Sequence, residues 1–196
     1  MRRRILRIAA FLVGAALVGV LALAVAVVAV PFPEDLLAHE DFESVRVRDR
    51  YGRLLREALS DAQGRATWVG TGTGVVPWVG LAFEAVEDHR FRAHPGVDLR
   101  GIARAARDNL EAGRIVAGGS TLTQQLVGLL SPGPRTFANK AREAVWAMRL
   151  ERVRTKDEIL TQYMNRAPFG HGAFGIEAAA RLYLNKPASA LTLAES

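Results

Sequence analysis

EAVEDHRFRAHPG (84–96) and GGSTLTQQL (118–126) are the stretches on which the reading of this chain turns. In the first, an acidic pair, Glu87-Asp88, ends an amphipathic run just before an aromatic residue, Phe91, and a His-Pro-Gly turn at 94–96. The second is hinged on glycine, rich in hydroxyl and amide groups, and almost free of charge. The helical period sets in at Trp78. It predicts one helix over Val79–Phe91, delivering Glu87, and another over Leu99–Ala112, with Asp98 as N-cap and Gly113 as stop. Ser120 is the expected cap of a third helix running to Leu130, ended by SPGP (131–134). Thr136–Val153 reads as a long amphipathic helix. Thr155 and Glu158 form a capping box for the next, through Asn165. Gly175–Leu184 is alanine-rich and helical, and Thr192 with Glu195 reads as a further capping box.

Upstream, SVRVRDRYGRLLRE (44–57) alternates around a turn at Arg50-Tyr51-Gly52 and predicts a β-hairpin. GTGTG (70–74) reads as a loop. A phosphate-binding P-loop is excluded, because no lysine follows and no strand–loop–helix frame surrounds it. The expected class is therefore mainly α, with one short hairpin.

The chain has 196 residues, no cysteine and a net charge of +6. Disulfides and thiolate metal sites are thereby excluded. Arg2, Arg3, Arg4 and Arg7 supply four of the six charges, leaving +2 on residues 8–196. The basic character belongs to the N-terminus and is no nucleic-acid footprint. Ile8–Val30 is free of charge and rich in Ala, Val and Leu. At ~1.5 Å per residue it is long enough to cross a ~30 Å hydrocarbon core. The preceding arginines predict a cytoplasmic N-terminus. The alternative is a cleaved signal peptide, whose apolar region is usually shorter, ~7–15 residues. Four segments follow: a basic tail (1–7), a transmembrane anchor (8–30), a linker and hairpin region (31–77) and a helical domain (78–196).

Read together, EDxxFxxHxG and GGSTxTQQ resemble the signature of glycosyltransferase family 51, the peptidoglycan polymerases. NKAREA (139–144), TKDEILTQYMNRAPFG (155–170) and GIEAAARLYLNKPASALTLAE (175–195) resemble its further motifs, in order. The resemblance runs from Val45 to Ser196. NRAPFG and SPGPRT are most similar to the N-terminal part of class A penicillin-binding proteins of the 1C type. It implies a lysozyme-like helical fold with a cleft between two lobes, and residues continuing beyond Ser196. It also implies a cell-envelope enzyme whose catalytic domain lies outside the cytoplasm. That enzyme would polymerise lipid II into β-1,4 glycan strands, with the nascent strand, the membrane and other cell-wall synthases as partners.

The chemistry fits these residue types. A sugar hydroxyl attacking an anomeric carbon must lose its proton, and a positioned carboxylate can take it. The resemblance assigns that role to Glu87, with desolvation in the cleft expected to raise its pKa. Glu143 matches the second family carboxylate, expected to orient the donor or to hold a divalent ion (Mg2+ or Mn2+) near the pyrophosphate. Arg135, Lys140 and Arg142 are the expected phosphate contacts, although Lys140 and Glu143 also have the spacing of a surface ion pair. Asp88, Phe91, His94, Gly119, Ser120, Thr121, Thr123, Gln124, Gln125 and Asn165 complete the expected substrate site. Two positions depart from the family pattern: Gly128, where a Lys or Arg is usual, and Asn139, where an Arg is usual. Both remove positive charge from the donor side. Val75, Val76, Trp78, Val79 and Leu81 form an apolar stretch, equally readable as membrane-dipping or as core. The alternatives to polymerisation are a lysozyme-like or lytic glycan hydrolase, which also uses carboxylates in a helical cleft, and a truncated, non-catalytic docking fragment.

Overall fold

The computed structural model describes residues 14, 18–19, 21, 25–37, 44–58, 66–67 and 77–196. Within residues 77–196 there are six α-helices: α1 (Pro77–Glu87), α2 (Leu99–Ala112), α3 (Leu122–Leu130), α4 (Phe137–Val153), α5 (Lys156–Met164) and α6 (Ile176–Leu184). Strands β1 (Val45–Arg48) and β2 (Leu54–Ala58) pair antiparallel as the expected hairpin. Asp49 organises its turn by accepting the backbone N–H groups of Tyr51 and Arg53, each at 2.9 Å. A two-residue strand β3 (Ala66–Thr67) pairs in parallel with β4 (Ala173–Phe174), a contact the sequence did not announce.

Helix ends follow side-chain chemistry. Asp98 accepts from the Arg100 N–H at the start of α2, and Gly113 stops it with a left-handed φ of 63°. Thr136 caps α4, and Thr155 with Glu158 closes the capping box of α5. Several boundaries differ from expectation. α1 ends at Glu87, and a separate 3-10 turn, Phe91–Ala93, follows. Asn165 is the C-cap of α5 rather than its last turn. The cap of α3 is Thr121, not Ser120. The reason for the last is reach: three residues after Thr121 stands Gln124, whose amide oxygen returns to the Thr121 N–H at 3.0 Å.

The core lies between α3, α4 and α5. α3 packs against both of the others, and Leu122, Leu126, Val127, Leu150 and Ile159 are almost completely buried. α1 adds Val79, and the turn after it adds Phe91. Phe32 and Leu37 also join this core, Phe32 meeting Trp146 edge-on at 6.0 Å between centroids. The segment read as a linker is therefore packed at these positions. Gly96 lets the loop after α1 lie against α4. Its φ is +94°, and a Cβ there would stand 2.7 Å from the Ala147 carbonyl carbon and oxygen.

Among the described residues no helix is long and apolar enough to cross a membrane. Most of Ile8–Val30, and all of GTGTG (70–74), Val75 and Val76, lie outside the described residues. The rest of the apolar stretch divides: Val79 is core, Leu81 is exposed, and the Trp78 indole N–H donates to the Leu191 carbonyl at 3.1 Å.

Candidate active site

Glu87 is the last residue of α1, and Asp88 leaves the helix. The two carboxylates have opposite surroundings. Asp88 is buried. Its Oδ2 accepts from His94 Nε2 at 2.9 Å and from the Leu122 N–H, in the first turn of α3, at 3.1 Å. This ties the end of α1 to the start of the helix that carries Gln124 and Gln125. Glu87 instead is exposed, which corrects the expectation of a desolvated base. Its Oε2 accepts from Gln125 Nε2 at 2.9 Å, and Gln125 Oε1 accepts from the Tyr163 hydroxyl at 2.9 Å.

Glu87 and Glu143 line the same open cavity, of about 540 Å³, together with Gln124, Gln125, Lys140 and Tyr163. Glu143 stands on α4 and is buried. Its Oε1 accepts from Asn139 Nδ2 at 2.9 Å and its Oε2 from Lys140 Nζ at 2.7 Å. Gly128 borders the same carboxylate; a Cβ there would lie 3.7 Å from Glu143 Oε1. The two departures from the family pattern thus converge on one group. Glu143 is balanced here by one cation and one neutral amide.

A second cavity, of about 750 Å³, continues past Gly128, Lys140 and Glu143 to Pro132–Phe137 and includes Arg135. Together the two cavities form a carboxylate-to-cation path: Glu87, then Glu143 with Lys140, then Arg135. On the other side of Glu87 lies an apolar cavity of about 400 Å³ between α1 and α6, walled by Phe83, Val86, Ile176 and Leu184.

Several expected contacts lie elsewhere. Phe91 is fully buried and carries Lys156 Nζ over its ring at 4.3 Å. His94 is buried beneath Asp88, with its Nδ1 unpartnered among the described residues. Both are internal rather than substrate-facing. Thr121 hydrogen-bonds the Gly96 carbonyl at 2.6 Å. Thr123 is buried and donates to Glu151 Oε1 at 2.5 Å; that same oxygen takes Lys156 at 2.6 Å. These threonines fasten α3 to its neighbours. Arg142 turns away from both cavities, donating to the Ser131 carbonyl at 3.2 Å and stacking on Trp146 at 5.0 Å. Asn165 is buried at the end of α5, and Ala167, Pro168 and Phe169 beyond it reach the cavity. Gly119 runs close to α2, where a Cβ would stand 3.0 Å from Ile102 Cα, and Ser120 is exposed; neither lines the carboxylate cavity.

Tyr163 was absent from the expected site. Burial, and then the charge of Glu87, push its hydroxyl up to about 12. It therefore stays protonated and able to donate. A divalent ion finds no ready seat here. Both oxygens of Glu143 are already in use, Lys140 standing where a cation would, and no trio of His, Cys, Asp or Glu is gathered among the described residues.

A transglycosylase family profile matches residues 52–196. The chain is 44% identical over 138 residues to penicillin-binding protein 1C of Escherichia coli, covering 70% of this chain and 18% of that protein. It is 44% identical over 115 residues to penicillin-binding protein 1F of Bacillus subtilis, covering 58% and 16%. With the biosynthetic peptidoglycan transglycosylase of Laribacter hongkongensis it shares 43% identity over 149 residues, covering 76% and 65%. The match thus spans between 16% and 65% of these relatives' lengths. With the profile spanning β2, both carboxylates and all six of these helices, the chain belongs to the transglycosylase family.

Proposed function

We propose that this chain is a peptidoglycan glycosyltransferase that extends β-1,4 glycan strands from lipid II with inversion at the donor anomeric carbon. The observation that carries the reading is the shared cavity, with exposed Glu87 at one end and the Glu143–Lys140 pair at the other. The relatives named as peptidoglycan transglycosylases support it. In the reaction the acceptor hydroxyl oxygen forms a bond to the donor anomeric carbon. The bond from that carbon to the pyrophosphate oxygen breaks, and its electron pair leaves with the lipid pyrophosphate. Glu87 takes the acceptor proton, acting as general base. Its exposure suits an incoming hydroxyl, and a seated substrate excludes the water that now reaches it. Lys140 supplies positive charge where the leaving group becomes negative, and Arg135 extends that field outward. Glu143 holds Lys140 in place.

Lipid-linked substrates require access to a membrane. The charge-free run Ile8–Val30 behind four arginines supports a single-pass anchor with a cytoplasmic N-terminus and the catalytic domain outside. A reporter fused after Ser196 tests this: activity on the outer face of the membrane is expected, and activity in the cytoplasm contradicts it.

The reaction itself is tested with labelled lipid II and the detergent-solubilised chain. Polymer resolved on a gel supports the proposal. Release of soluble fragments from preformed glycan, without polymer, contradicts it and favours hydrolysis.

A further inference from the structure

Gln125 stands between a carboxylate and a phenol. Its side-chain amide can adopt two orientations differing by a half-turn, and its neighbours decide between them. Here its NH2 faces Glu87 and its carbonyl oxygen faces Tyr163, each contact being 2.9 Å. The opposite orientation would point the carbonyl at the Glu87 carboxylate. That arrangement is repulsive unless Glu87 is protonated. Both neighbours favour the orientation seen: the Tyr163 hydroxyl donates to the amide carbonyl, and the NH2 is left for Glu87.

The Tyr163 ring is well placed to impose this. It is buried on α5 and meets Phe83 of α1 edge-on, with centroids 5.5 Å apart. Tyr163 thus reaches α1 twice, through the Phe83 ring and through Gln125. Among the described residues Glu87 Oε2 takes the amide hydrogen bond, and Oε1 is left for an incoming proton.

We propose that Tyr163 is a positioning residue for Glu87: its hydroxyl locks the Gln125 amide with the NH2 toward the carboxylate, holding Glu87 oriented to accept a proton. The last step rests on the glycosyltransferase reading; the lock itself does not. The other titratable groups around the two cavities that Glu87 lines are Lys140 and Glu143 on α4, Tyr183 on α6, and Glu195 near the chain end. Tyr163 and Gln125 alone among these side chains form a hydrogen-bonded chain to it.

The test is a substrate-free titration of the Glu87 carboxyl carbon by 13C NMR on the full chain in detergent, with Glu87→Gln identifying the signal. In Tyr163→Phe the ring and its packing remain and only the hydroxyl is lost. The Glu87 midpoint should move up by about 0.5–1 pH unit, and the acidic limb of the polymerisation rate should move with it. Gln125→Met, which removes both hydrogen bonds without touching the core aromatic, should move the midpoint the same way. An unmoved midpoint in both variants overturns the proposal, because a purely structural Tyr163 changes folded yield and leaves the titration alone. Failure of the wild-type chain to polymerise lipid II counts against the glycosyltransferase reading only, since this titration uses no substrate.

Discussion

The carboxylate of Asp88 accepts the backbone N–H of Leu122, thirty-four positions along the chain, at 3.1 Å. The same oxygen takes the His94 ring. One buried group thus joins the residue after Glu87 to the helix that carries Gln125. Asp88→Ala leaves two buried donors without an acceptor and should cost about 2–4 kcal/mol in chemical denaturation. Asp88→Asn keeps an acceptor oxygen and should cost about half of that. Equal, small losses in both would place Asp88 outside the framework of the site.

Lys140 and Arg142 were expected to act alike, and the structure separates them. Lys140 borders both cavities on the carboxylate side, whereas Arg142 caps the end of α3 and stacks on Trp146. Lys140→Ala should weaken binding of a phosphoglycolipid donor analogue by about 10- to 100-fold, the worth of a charge-assisted hydrogen bond. Arg142→Ala should leave that affinity unchanged and lower the melting temperature instead. Isothermal titration and thermal melts read both, and a reversed pattern contradicts the assignment.

Tyr163 predicts a response to alkali. Its folded pKa is raised from 10.0 to about 12, so the neutral phenol is favoured in the native state. The stability linked to this is fully present below pH 10 and is lost as the pH rises from 10 toward 12. Absorbance at 295 nm should show a late ionisation step near pH 12 that is missing in Tyr163→Phe. The same curve for both proteins would contradict the buried, donating phenol.

What the sequence made legible is local. Asp98 and the Thr155–Glu158 box predict their helix starts because a cap and its partner stand within three residues of each other. The misplaced cap of α3 was also decidable from sequence, since Gln124 can return to Thr121 whereas Thr123 is too short to return to Ser120. The proximity of Arg142 to Trp146, one helical turn apart, carried a stacking signal as well. Nothing local tells that Phe91 and His94 face inward, because their burial is decided by α4 and α5 arriving from other parts of the chain. Tyr163 was hidden for the same reason: Gln125 is thirty-eight positions away. Phe32 and Leu37 sit among proline and acidic residues and look like a linker until the core is assembled and Trp146 meets Phe32.

The central claim is that Glu87 takes the acceptor proton, and Glu87→Gln tests it most directly. The amide matches the carboxylate in size and can keep a contact with Gln125, so the fold should persist, as circular dichroism and melting would register. With labelled lipid II in detergent, the wild-type chain should produce glycan polymer and the variant should be slower by about 10²–10⁴-fold, the usual cost of losing a general base. Equal polymer from both proteins would contradict the account and leave Glu143 as the next carboxylate to replace.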